Sequence, residues 1–192
     1  MKKGLIGLAA AGALMVAPSG AMAASGGVCE LDGTANFTTP LGMTAKDFGY
    51  SFHGTLTKCN GSESGLTGVV NAGETFNGYP EPKPSGNGSC GSSKTSGVSF
   101  VQWSDGKTTI VNYSTTGAAA AVALTGTVVP SITLSRTEPD GTVSTLTVTT
   151  TRYAGGNAGG PLAFEPPDPT ACNGAGVATA GIQGLLGTGT QS

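Results

Sequence analysis

The chain has 192 residues, with 9 Lys and Arg against 11 Asp and Glu, one His and a formal net charge of −2. Charged residues make up 10% of it, where an average globular domain has about a quarter, and Gly, Ser and Thr take their place. So few cations leave no electrostatic footprint for nucleic acid or anionic lipid, and a single histidine with no free thiols cannot build the usual transition-metal ligand set.

Residues 1–23 combine Lys2 and Lys3, an apolar run from Leu5 to Val16, a breaker at Pro18 and small residues at Ala21 and Ala23. This is the pattern of a secretory signal peptide cleaved after Ala23. The residues before Cys29 are Gly-Gly-Val, which is not a lipoprotein signal. No later stretch approaches the roughly 18 apolar residues of a membrane span. The expected mature chain, 24–192, is one β-domain of net charge −4, with seven basic residues against eleven acidic once Lys2 and Lys3 are gone. It is expected outside the cell or at its surface, without membrane insertion.

Val28 to Phe37 reads as a first strand. Asp47 to Cys59 reads as a second, with Phe48, Tyr50, Phe52 and Leu56 on one face and Ser51, His53, Thr55 and Thr57 on the other. Such alternation predicts one buried and one wetter face. Leu66 to Phe76 is a weaker third strand, interrupted by Gly68 and Gly73. Residues 77–97 are rich in Gly, Pro and Ser, with prolines at 80, 82 and 84, and read as a long, stiff loop.

The centre of the chain is Gly97 to Tyr113, which holds the only tryptophan. Asp105-Gly106 predicts a two-residue hairpin turn, pairing Trp103 with Thr108, Val101 with Ile110 and Phe100 with Val111. Trp103, Val101 and Ile110 then share one face, and Phe100, Val98, Val111 and Tyr113 the other. Apolar residues on both faces place this hairpin in a sheet covered above and below. A bulge at the turn would slip one strand and exchange its faces.

Ala118 to Val129 predicts a further strand, with Pro130 at an edge or bend. Ser131 to Arg136 and Thr142 to Tyr153 form a second hairpin around Glu138-Pro139-Asp140-Gly141, a sequence suited to a type I turn with a bulge. Leu146 and Val148 face one way there, and Thr145, Thr147, Thr149 and Thr151 the other. From residue 154 to 192 Gly and Pro dominate, and the segment is expected to be irregular and held by Cys172.

An even number of cysteines in an exported chain reads as disulfides. Of three connectivities the sequential one is favoured, Cys29 with Cys59 and Cys90 with Cys172. About eight closely spaced strands with turn signals between them predict an all-β fold, an antiparallel β-sandwich with a β-barrel as the alternative. The segments WSDGKTTIVNYSTTG, VALTGTVV, TTTRYAGG and DPTACNGAGVATAGIQG, with the four cysteines, resemble a group of small exported actinobacterial β-proteins of unassigned function. The resemblance implies a shared β-fold and export, and transfers no catalytic or binding residue.

No catalytic constellation emerges. His53 lies on the polar face of its strand, no Gly-x-Ser-x-Gly turn accompanies it, and the carboxylates that glycoside hydrolysis needs in pairs fall mostly in turns. Asp105, Asp140 and Asp168 lack the regular spacing of a calcium loop. No cofactor, metal or enzymatic activity is therefore expected. The expected function is that of an envelope-associated structural or interaction protein, with cell-wall polymer, extracellular glycan or a second copy as partner. The alternative is a carbohydrate-binding module using Trp103 and Tyr79 as stacking faces. A hydrolase, or a protease inhibitor built on the Pro-rich loop, is more distant.

Overall fold

The computed structural model describes residues 25–190; the signal-peptide assignment at 1–23 lies outside them. The fold is all-β. Eight antiparallel staves close into a barrel, which is the alternative architecture and not the sandwich. The barrel closes because β1 (Ser25–Leu41) pairs on one edge with β2 (Lys46–Thr57) and on the other with β13 (Val177–Thr190). Closure leaves no unpaired edge around the barrel.

The staves follow the chain as a meander. After β1 and β2 come β3 (Gly68–Ala72), β7 (Ser92–Trp103), β8 (Thr108–Ala118), β9 (Ala121–Val128), β12 (Asn157–Glu165) and β13. Two insertions interrupt it. The first carries the short strands β4 (Thr75–Phe76), β5 (Tyr79–Pro80) and β6 (Ser85–Gly88). The second is the hairpin of β10 (Ser131–Thr137) and β11 (Val143–Thr149).

One stave is spliced from two pieces. β3 pairs with Phe52–Leu56 of β2 and with Phe100–Trp103 of β7. β6 pairs with Lys46–Gly49 of β2 and Ser93–Ser96 of β7, further along the same gap. Between them the chain leaves and returns at one point, where Pro84 is fully buried and its carbonyl accepts the Tyr50 N–H. Residues 77–97 are thus not a free loop: β5, β6 and the start of β7 lie within them. Their glycines permit the close strand approach, since a Cβ at Gly86 would stand 2.4 Å from the Lys94 carbonyl oxygen.

The central hairpin differs from its expected register by one residue. The Trp103 N–H donates to the Lys107 carbonyl, Gly106 adopts φ +80, and Phe100 pairs with Ile110. The bulged glycine adds one residue to the turn, which carries Val111 and Tyr113 to the same face as Val101 and Trp103. The hairpin is still covered on both sides. Its inner face lines the barrel. On its outer face Phe100 and Ile110 pack with Phe76, Leu134 and Val148 beneath the β10–β11 flap. That flap has the expected turn, with Gly141 at φ +84 and its N–H on the Glu138 carbonyl, and Thr145, Thr147 and Thr149 are exposed.

Residues 154–192 are not irregular throughout: within the described range they supply the staves β12 and β13, joined by an irregular connection with a 3-10 turn at Pro169–Asn173 that carries Cys172. Their low intrinsic β-preference is overridden by ladders on both edges. Ala118 ends β8 and residues 119–120 form the turn, so the strand expected from Ala118 starts at Ala121. The disulfides are Cys29–Cys59 and Cys90–Cys172, as expected.

Candidate functional site in the barrel lumen

Inside the barrel the period-two pattern of each stave converges. Phe48, Tyr50 and Phe52 of β2 meet Val101 of β7, Val111 and Tyr113 of β8 and apolar residues of the remaining staves around a cavity of about 120 Å³. Its lining contains no charged side chain; the polar groups are seven Ser, Thr and Tyr hydroxyls. The outer face is the opposite, with Glu30, Asp32, Thr34 and Asn36 exposed along β1. A transmembrane barrel carries its apolar band outward, so the polarity here is reversed.

The cavity exists because small residues stand at several inward positions. The tip of the Phe52 ring reaches the paired Gly33 and Gly54, where a Cβ on Gly33 would stand 2.4 Å from its Cζ. Ala35 and Ala72, both paired with Phe52, leave the space above it.

One end is plugged. Leu56, Trp103, Thr109 and Val128 are buried there, and the Cys29–Cys59 bridge closes the rim. Glu63 is 0% exposed, its carboxylate accepting from the Ser62 and Thr188 hydroxyls and packed against Gly27, which has no room for a side chain. At the other end the β1–β13 ladder is interrupted from Phe37 to Pro40. Phe37, Val122, Phe164 and Ile182 point inward there yet are half-exposed, so the lumen is partly open. The Cys90–Cys172 bridge ties together the turns beside this mouth, and the Cys90 N–H donates to the Gly42 carbonyl.

Four of the seven lumen hydroxyls form a chain. The hydroxyls of Tyr113 and Tyr50 lie 2.7 Å apart, Tyr50 and Thr95 3.0 Å, and Thr95 and Thr115 2.7 Å. Burial pushes both phenols above their ordinary range, and for Tyr113 the neighbouring Tyr50 adds to the rise. Both therefore stay protonated. Four hydroxyls carry four protons and three bonds use three, so one of the four O–H groups is not used within the chain.

The chain matches no protein-family model, no curated protein and no solved structure.

The residues singled out in the sequence lie elsewhere. Trp103 is 4% exposed, below the cavity, its indole N–H donating to Thr109 and its ring under the Arg152 guanidinium at 5.3 Å. It offers no stacking face to solvent, because it lies on the inner face of β7 with Val101 and is covered there. Tyr79 is half-buried outside the barrel, with Arg136 4.8 Å from its ring centre, latching β5 to the flap. The two aromatics do not share a site.

His53 is exposed and its Nδ1 pairs with Asn71 Oδ1. Asp105 takes the Arg152 guanidinium, while Asp140 and Asp168 each accept from a threonine two residues on. These bonds hold all three carboxyls below the usual range, against the opposing effect of desolvation, which is the largest single influence at Asp105. Among the described residues no group of three His, Cys, Asp or Glu side chains could hold a metal.

Sequence reasoning missed Thr95 and Thr115. A signal was present: carrying the alternation of Val101 and Ser99 backward by twos reaches Thr95 and Ser93, which both line the lumen. The Gly/Ser composition of that stretch concealed it.

Proposed function

We propose that this is an exported, non-enzymatic interaction protein whose barrel lumen holds a small apolar group, the tail of its ligand. The observation that carries this reading is a partly open, uncharged cavity lined mostly by apolar side chains, with seven hydroxyls, four of them in one chain. An eight-stranded barrel interior is just wide enough to be filled by side chains or to hold one small ligand. Here glycines and alanines leave it unfilled. Two disulfides support an oxidising, extracellular setting, and the polar outer face supports a barrel that does not insert into a membrane.

A cavity of 120 Å³ takes about four methylene groups, if each occupies roughly the volume of one liquid water, about 30 Å³. Binding of n-alkanols by the purified protein tests this by calorimetry. Affinity should rise about fourfold per added methylene, the value of ~0.8 kcal/mol each, until the tail outgrows the space. Affinity independent of chain length would overturn the reading.

A further inference from the structure

The barrel has no free edge, but the flap that covers one side of it does. β11 pairs with β10 alone. The Glu138 N–H donates to the Thr142 carbonyl and the Thr150 N–H to the Pro130 carbonyl. Bonded and non-bonded pairs alternate along an antiparallel ladder, so Ser144, Leu146 and Val148 bond to β10. Val143, Thr145, Thr147 and Thr149 turn their N–H and C=O groups to the other side. Thr151 keeps that outward direction, and its N–H is taken by the Thr108 carbonyl. The backbone groups of the four outward residues before it have no partner among the described residues. The outer edge of β10, by contrast, lies beside β5, where the Arg136 guanidinium donates to the Gly78 carbonyl.

Edge strands of soluble proteins are guarded by lysine, proline, a bulge or a covering loop. β11 has none of these guards. Its register with β10 runs unbroken from Val143 to Thr149, and its seven residues, VSTLTVT, carry no charge. Val143 is 66% exposed, so the open edge also leaves an apolar side chain in water. High β-preference without charge or proline marks a strand suited to pairing on both sides.

We propose that this edge pairs antiparallel with the same edge of a second copy, about a twofold axis at Leu146, joining two flaps into one four-stranded sheet. The free edge is bounded by the Glu138–Thr142 turn at one end and by Thr108 at the other, and β11 is a strand of the length that fits between them. Centred on Leu146, Val143 meets Thr149 of the other copy and Thr145 meets Thr147. Each contact then occurs twice, as a self-complementary interface requires, and every outward donor faces an outward acceptor. Like charges directly opposite destabilise a strand pair; an uncharged strand can meet itself without that cost. The exposed face brings threonine against threonine, as the flap already does where the Thr133 and Thr147 hydroxyls lie 3.3 Å apart. Pairing occupies the edge in both copies, so association stops at two.

The test is sedimentation velocity of the disulfide-intact protein from micromolar to millimolar concentration, with amide hydrogen exchange followed residue by residue. One edge-to-edge ladder is smaller than a standard interface, so the mass should double only towards the upper end of the range. The amides of Val143, Thr145, Thr147 and Thr149 should slow in proportion to the dimer formed. Those of Ser144, Leu146 and Val148 should not change, and they report that the flap is intact in every variant. Thr145→Lys/Thr147→Lys, which gathers four lysines about the axis, should stay monomeric throughout. Thr34→Lys/Asn36→Lys adds the same charge on the exposed outer face of β1 and should dimerise like the wild type. A wild type that remains monomeric at millimolar concentration overturns the proposal, and slowing of the same amides by an unrelated extended peptide would then assign the edge to a different strand. A dimer that survives Thr145→Lys/Thr147→Lys with the flap intact, a dimer that leaves the four outward amides unprotected, or growth beyond two copies also overturns it.

Discussion

Replacing Ala72 by Leu should stabilise the protein and abolish alkanol binding. Ala72 is 1% exposed and lines the lumen, paired with Phe52. Leu adds three carbons, worth about 2.4 kcal/mol at ~0.8 kcal/mol per buried methylene. The cavity sets a ceiling: 120 Å³ at about 24 cal/mol per Å³ of void corresponds to about 3 kcal/mol. The two figures agree closely enough to expect a gain near 2 kcal/mol, which raises the melting temperature by roughly 4–8 °C in a domain of this size. Urea unfolding monitored by Trp103 fluorescence measures the first effect and calorimetric titration with butan-1-ol the second. A loss of 1 to 3 kcal/mol, as for a side chain forced into a filled core, would refute the reasoning, because the lumen would then hold no space above Phe52.

Other perturbations separate the parts of the fold. Removing the Cys90–Cys172 bridge, which spans 82 residues, should cost about 4.5 kcal/mol in the chain-entropy model, and removing Cys29–Cys59, which spans 30, about 3.7; double-alanine variants in urea would show equal or reversed losses if the unfolded chain is not what the bridges restrain. Glu81 is buried with Oε1 unpartnered, and burial pushes its carboxyl above the ordinary carboxylate range. Its folded form therefore favours the proton, so stability is fully present below the unfolded pKa and falls as pH rises through the folded one; Glu81→Gln should flatten that fall in thermal melts between mildly acid and neutral pH. Ala119 turns the β8–β9 hairpin at φ +51, where an L-residue costs about 1 kcal/mol relative to glycine, so Ala119→Gly should raise the urea midpoint. In ultraviolet titration, Tyr50 and Tyr113 should ionise only above the free-tyrosine range, and Tyr113→Phe should remove one late-titrating phenol and about 1 kcal/mol of stability.

Much of the fold was legible because it rests on local chemistry. The alternation of Phe48, Tyr50, Phe52 and Leu56 marks the inner face of β2, and Pro139-Asp140-Gly141 marks the flap turn. An even cysteine count with favourable spacing led to the correct pairing. What escaped depends on long-range pairing. Closure is decided by β1 meeting β13, whose sequence from Val177 to Thr190 contains four glycines and reads as loop until two neighbours supply its ladders. The lumen was hidden by a single residue: with Gly106 bulged, Val111 and Tyr113 join Val101 on one face. The hydroxyl chain required that register and β7's extension into the Gly/Ser run, so Tyr113 with Thr95 was out of reach where Trp103 alone was conspicuous.

The most direct measurement is methyl chemical-shift mapping of the isotopically labelled protein titrated with butan-1-ol. The account predicts saturable shifts at Leu31, Val70, Val101, Val111 and Leu186, which line the lumen, and none at Ile110, Leu134 and Val148 of the outer cluster. Saturating shifts confined to the outer cluster, or no shifts at all, would contradict it.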